Sequence, residues 1–346
     1  MELVYFRDPK LNFGDDLNAH IWDHVLSPEF RARDDIIFVG IGSILTAERL
    51  EQYVGSPKHV IVGGSGVSYG TPPSDMSRWY FAAVRGPLSA AVLGRPEAAI
   101  TDSAILLART QGLVSRSPEP KKILFVPHRS SLKRTDWEAI CRKAGLEFLS
   151  PQTPVTEVLS QFGEARLVVT EAMHGAILAD TLRIPWVPVV INPEIDEFKW
   201  RDWARSMEVP YRPISLRAVV PDDLYGNWIV RRNLKRAGIG SHTLLEAAQD
   251  ANQYQQYLER RFGPPAGSFA KQSMMDTRLW RLLRRPLWKL QPFFIDAAVR
   301  ALRAAAASQP FLSEDRVFDE RLEQMSAAIE RMEAHFSRQS TRLATT

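Results

Sequence analysis

The sequence predicts an α/β protein with two Rossmann-like domains of parallel sheet followed by a helical C-terminal extension. Three observations lead there. Short β-rich runs alternate with helical patterns over the first two hundred residues. A polar break at 111–120, holding Gly112, Pro118 and Pro120, divides that pattern in two. The pattern then gives way to a basic, aromatic-rich tail. The expected division is 1–115, 116–265 and 266–346.

In the first unit, strands are expected at 3–6, 36–39, 60–62, 80–84 and 98–100, with helices between them, among them 16–25 and 87–93. In the second, strands are expected at 121–126, 147–149, 166–169 and 186–190, and helices at 136–144, 155–162 and 175–182. A polar helix is expected at 244–262. In the tail, 279–295 mixes Trp280, Trp288 and Phe293 with arginines and lysines, as interfacial segments do, although Pro286 and Pro292 interrupt a long helix there. Further on, Phe318, Leu322, Met325, Ile329, Met332 and Phe336 alternate spacings of four and three, a short heptad seam suited to dimerisation or to docking on the body.

Composition narrows the function. Net charge is +4, but 268–310 alone carries +6, so the remainder is −2 and a nucleic-acid-binding core is not expected. The single Cys141, on a helical pattern, leaves no intrachain disulfide framework and reads as a small buried hydrophobe. The N-terminus lacks a basic, long-apolar leader and no apolar run reaches spanning length, so a cytoplasmic location is expected. No cysteine cluster suggests a metal, and metal-independent chemistry is expected.

In open parallel sheets, ligands bind at loops following the carboxyl ends of strands, and four such loops carry chemistry. After the first strand, Asn12-Phe13-Gly14-Asp15-Asp16 supplies a tight turn and two carboxylates; one is accounted for as a helix cap, and the other is free for a substrate hydroxyl. Val39-Gly40-Ile41-Gly42-Ser43 and Gly63-Gly64-Ser65-Gly66 fit neither a dinucleotide fingerprint nor a P-loop, and equally mark tight packing. At Val84-Arg85-Gly86-Pro87 an arginine meets a helix start, an arrangement suited to clamping an anion or simply to a surface arginine. Thr101-Asp102-Ser103 reads as a helix cap.

The strongest loop is Thr170-Glu171-Ala172-Met173-His174-Gly175, where a strand runs directly into a helix. Free amides and the positive end of the helix dipole favour an anion there, and His174 stands where it can contact phosphate or transfer a proton. Val126-Pro127-His128-Arg129 repeats the theme at the start of the second unit. Lys199 and Arg201 add positive charge; Trp200 and Trp203 suit either a sugar face or a core.

Taken together, Asn12–Asp15, Val84–Pro87 with Thr101–Ala104, Val126–His128, Thr170–Gly175 and Lys199–Trp203 resemble the polysaccharide pyruvyltransferase family, in its exopolysaccharide branch, over about residues 1–210. The resemblance implies a fold similar to GT-B glycosyltransferases, with phosphoenolpyruvate as donor and co-substrate rather than a bound cofactor. It implies a lipid-linked oligosaccharide as acceptor, on whose terminal hexose a pyruvate ketal forms across two hydroxyls, commonly O4 and O6, with release of phosphate. His174 is then expected to bind phosphate or protonate the donor, and Asp15 or Glu171 to activate a hydroxyl. Arg85, His128, Arg129, Gly175 and Lys199 are expected at the donor, and Asp16 and Trp200 at the acceptor. Much of the family carries an arginine two residues before the motif histidine. This chain has Ala172 there, so either the role passes to another cation, with Arg85, Arg129 and Lys199 the candidates, or the donor is held differently. The expected partners further include a membrane surface through 279–295 and a homodimer. Competing readings are a nucleotide-sugar glycosyltransferase on the same architecture and a non-catalytic scaffold of a polysaccharide assembly complex.

Overall fold

Apolar strands joined by helical crossovers build two parallel sheets in the computed structural model, which describes residues 1–110, 112–191, 195–216, 219–220, 223, 228, 232, 235, 251–262 and 288–343. The first sheet has four strands in sequence order: β1 (Glu2–Val4), β2 (Ile36–Val39), β3 (His59–Gly63) and β4 (Tyr80–Ala83). Every residue of β2 is buried, as expected for a parallel strand covered on both faces. The crossover helices include α1 (Asn18–Val25), and α2 (Pro87–Leu93) follows β4. The strand expected at 98–100 is reduced to a single Val84–Ala99 bridge, because Pro96–Ala98 winds into a 3-10 turn that begins on a residue with no N–H to give a ladder.

The second sheet has five strands in the order β6-β5-β7-β8-β9: β5 (Lys122–Val126), β6 (Glu147–Phe148), β7 (Ala165–Thr170), β8 (Trp186–Val190) and β9 (Ile214–Ser215). Its helices are α3 (Trp137–Ala144), α4 (Val155–Gly163), α5 (Met173–Thr181) and α6 (Glu197–Ser206). From β5 the chain steps outward to β6 and then back across to β7. The winding therefore reverses between β5 and β7, which opens a crevice at their carboxyl ends. Cys141 is buried on α3, where burial pushes its thiol up to about 12.

The C-terminal helices are α7 (Ala251–Phe262), α8 (Gln291–Ala306) and α9 (Asp315–Leu343). Positions 244–250 and 279–287 lie outside the described residues. Pro292 stands in the first turn of α8, where its missing N–H costs nothing, so it opens a helix rather than interrupting one. The heptad seam of α9 does not project outward. Phe318, Leu322, Met325, Ile329, Met332 and Phe336 are all buried in the same core as Phe30, Ile36 and Ile105, with Phe336 against Phe30 and Tyr80. At about 1.5–3 kcal/mol per enclosed apolar side chain, that face is satisfied within the chain and supplies no dimer seam. Phe311 pairs antiparallel with Trp186, which ties the connection between α8 and α9 to the edge of β8. Among the described residues no helix is long and apolar enough to cross a membrane.

Candidate active site

A cavity of about 360 Å³ lies where the carboxyl ends of the two sheets face each other. The first sheet contributes Asn12 and Asp15 from the loop after β1, Ser43 and Thr46 after β2, Glu48 and Arg49 from the short helix that follows, and Tyr69 after β3. The second sheet contributes His128 and Arg129 after β5, Ala172 and His174 after β7, and Lys199 from α6.

The two carboxylates of the first loop divide their work. Asp16 turns back and accepts the Asn12 N–H at 2.9 Å, closing the helical turn Phe13–Asp16. It is absent from the cavity wall, contrary to the expectation that it meets the acceptor. Asp15 is left facing the cavity, bonded by the Asn12 side-chain amide. Burial holds its carboxyl above the usual range, opposed by the charges of His174 and Lys199. Gly14 is required by close approach: a Cβ there would overlap the His174 ring.

His174 begins the second position of α5, with Ala172 at the N-cap supplying no side-chain acceptor. Its Nε2 is enclosed and makes no hydrogen bond. Glu171, expected as a base, is fully buried behind the wall. Its Oε2 accepts the His128 N–H at 3.0 Å and its Oε1 the Ile191 N–H at 2.8 Å, so it ties the ends of β5, β7 and β8 together. Gly175 is likewise buried, and a Cβ there would meet Thr170 Oγ1; it lets α5 sit close on β7 and does not reach the cavity.

His128 caps the turn that follows it. Its Nδ1 lies 2.8 Å from Ser130 Oγ and accepts the Ser130 N–H at 3.3 Å, which leaves the proton of the neutral ring on Nε2. Burial, with Lys199 and Arg129 nearby, brings its titration down to about 3, so it is a neutral hydrogen-bond donor rather than a proton carrier near pH 7.

Arg85 is corrected by the structure. It is fully buried and every arm of its guanidinium is engaged: Nε donates to Asp202 at 3.1 Å, Nη1 to Ser43 Oγ at 2.6 Å and Nη2 to the Val67 carbonyl at 2.8 Å. The start of α2 beside it is already filled by an anion, since the Leu88 and Ser89 amides donate to Asp202 at 2.8 and 3.0 Å. Gly66 passes so close to that guanidinium that a Cβ would overlap it. Trp200 is also withdrawn from the acceptor: it is 1% exposed and stacks on Tyr211 at 5.1 Å.

The cations that do reach the cavity are Lys199, Arg129 and Arg49. Arg129 pairs with Asp8, and both arginines lie against the Phe6 ring, at 5.1 and 4.5 Å. Lys199 is only 8% exposed. Its ammonium lies over the Tyr69 ring at 4.9 Å, and no carboxylate among the described residues is within ion-pair distance of it. Arg49 and Tyr69 escaped the sequence reading. Arg49 looks like any helical surface arginine. The signal for Tyr69 is its backbone, at φ 60, which a sequence does not display.

The family profile described as polysaccharide pyruvyl transferase matches residues 76–193, which include the loops bearing Asp102, His128 and His174. The succinoglycan biosynthesis protein ExoV of Rhizobium meliloti (strain 1021) is 41% identical over 220 residues, covering 62% of this chain and 67% of that protein. No solved structure matches the chain. With two thirds of that relative aligned and the family's own profile running through the loops that bear His128 and His174, the chain belongs to the polysaccharide pyruvyl transferase family of enzymes.

Proposed function

We propose that the enzyme transfers pyruvate from phosphoenolpyruvate to O4 and O6 of a terminal hexose in a lipid-linked exopolysaccharide repeat unit, of the succinoglycan kind named for its relative, and releases phosphate. The observation that carries this reading is Lys199, a nearly buried ammonium with no carboxylate partner among the described residues, at the wall of a cavity also reached by Arg49, Arg129 and an open helix start. Buried charge without a partner is costly, and a small, densely charged anion is the ligand that relieves it.

Ketal formation needs one acid and one base. His174 delivers a proton to C3 of the donor while the first sugar hydroxyl attacks C2, and Asp15, facing the same space, accepts that hydroxyl's proton. The C2–O bond to phosphate then breaks, the second hydroxyl adds at C2, and its proton leaves on the phosphate. Two hydroxyl hydrogens are lost, one is balanced by the new methyl group and one by the released hydrogen phosphate. His128 contributes a fixed Nε2–H donor. Tyr69, 40% exposed at the mouth with Lys199 on its ring, suits a sugar face.

The lipid-linked acceptor is supported by Leu290 and Phe293, 51% and 65% exposed beside Lys289 at the start of α8. Leu290→Ser/Phe293→Ser is expected to lower co-sedimentation with anionic liposomes without altering turnover of a soluble acceptor; equal binding removes the membrane-surface reading. The test of the reaction is phosphate release from phosphoenolpyruvate with an acceptor oligosaccharide, with the ketal methyl group read by NMR. Nucleotide release from a sugar nucleotide, with none of phosphate, would establish the glycosyltransferase alternative instead.

A further inference from the structure

Two enclosed polar atoms face each other across the gap between the sheets, and neither has a hydrogen-bond partner among the described residues: Asp102 Oδ2 and His174 Nε2, 3.8 Å apart. Asp102 comes from the first sheet's side, at the end of the segment after β4, and is fully buried. Its other oxygen caps the 3-10 helix Ser103–Arg109 by accepting the Ala104 N–H at 3.0 Å. Capping therefore explains one carboxylate oxygen and leaves the second without a donor. Buried polar atoms are nearly always satisfied, and two orphans aimed at one another imply a bond that a slight approach of the two halves completes.

We propose that Asp102 is a positioning residue for His174: its Oδ2 accepts a hydrogen bond from Nε2–H, which fixes the ring with Nδ1 on the side of the Gly14 turn and makes the Nδ1 proton the one that is transferred. The inference rests on the role proposed for His174 above. Asp102 touches no substrate. It acts as carboxylates behind catalytic or metal-bound imidazoles do, by deciding which ring nitrogen keeps its proton. Asp15, whose carboxyl feels the charge of His174, lines the cavity, whereas Asp102 Oδ2 is the carboxylate oxygen that stands opposite Nε2. The mechanism also explains why Gly14 must lack a side chain: its Cβ would push into the ring that Asp102 orients.

The test separates capping from positioning. Asp102→Asn keeps an N-cap oxygen, since asparagine caps as well as aspartate, but it presents an N–H to Nε2 in place of an acceptor. Nitrogen-15 NMR of the ligand-free enzyme, at alkaline pH and assigned with His174→Ala, is expected to show the Nε2–H tautomer at His174 in the wild type and the Nδ1–H tautomer in Asp102→Asn. Turnover of the variant is expected to fall about 100-fold or more, with little change in the KM for phosphoenolpyruvate. Asp102→Ser, which caps but reaches nothing, is expected to give mixed tautomers. A wild-type Nδ1–H tautomer, or one unmoved by either substitution while His174 stays essential, overturns the role of Asp102 alone. Phosphate release that survives His174→Ala overturns the reading of the site itself.

Discussion

Two junctions in this chain have the same design: a strand ends, a helix starts at once, and a basic or titratable residue stands at the corner. At Val84–Leu88 the helix start is occupied from within, by Asp202 reaching across from α6, and Arg85 is neutralised by the same carboxylate. At Thr170–Gly175 no side chain caps the helix, and His174 borders the cavity. The difference teaches that a helix N-terminus reports an affinity for an anion without saying whose anion it is. Where the protein supplies the carboxylate, the site is structural; where it leaves the place open on a cavity that also holds a lysine without a carboxylate partner among the described residues, a ligand is expected.

The largest effect should fall on the open junction. His174→Ala is expected to reduce phosphate release by about 1000-fold, on the order of 4 kcal/mol in the barrier, in line with loss of a positioned proton carrier. The protein should stay folded by circular dichroism, because the ring is at the cavity wall and not in the core. Residual turnover near wild type would erase the contrast between the two junctions.

Arg85→Met tests the filled junction. It strips the partner from a buried carboxylate, and an unfolding free energy lower by about 3 kcal/mol is expected in urea titrations. The three remaining donors to Asp202, the Leu88 and Ser89 amides and the Ser89 hydroxyl, should keep the loss from being greater. The KM for phosphoenolpyruvate of the folded protein should not move. A raised KM with unchanged stability would return Arg85 to the donor. Lys199→Met should do the opposite, raising that KM by roughly 10- to 50-fold as one charged contact is lost, with stability unchanged or improved because a nearly buried charge is gone.

Much of this contrast lies beyond what a sequence displays. The alternation of strands and helices, the parallel sheets and the ring of strand-end loops all follow from local periodicity, and β2, α2 and β8 fall where the pattern puts them. His128, Arg129 and His174 reach the cavity because they stand just beyond strand ends, Asp15 from the loop after β1 and Lys199 from α6. What a sequence does not display is the distant partner. Arg85 looks available until Asp202 arrives 117 residues later, and Glu171 looks like a base until the amides of His128 and Ile191 take both of its oxygens. The same holds for the seam of α9, whose apolar face is as fit for a second chain as for the core that it covers. Arg49 is the reverse case, an arginine with no motif around it, brought to the wall by the helix after the β2 loop.

The smallest effect is a pH dependence that separates the two histidines of the cavity wall, His128 and His174. His128 stays neutral in the folded protein down to about 3, whereas its ordinary value is 6.5, so below that value the unfolded chain binds a proton that the folded protein refuses. Its contribution is fully present above pH 6.5 and is lost progressively as the pH falls toward 3. His128→Asn keeps a capping oxygen for the Ser130 amide and cannot titrate. The variant should therefore resist acidification better than the wild type, with urea midpoints that converge at pH 7.5 and separate in its favour at pH 5. Because His128 is only partly enclosed, the separation should be a fraction of the ~1.4 kcal/mol per pH unit available to a fully excluded group. Midpoints that stay parallel would mean that His128 takes up its proton in the folded state, and it would then have to be counted beside His174 as a proton carrier.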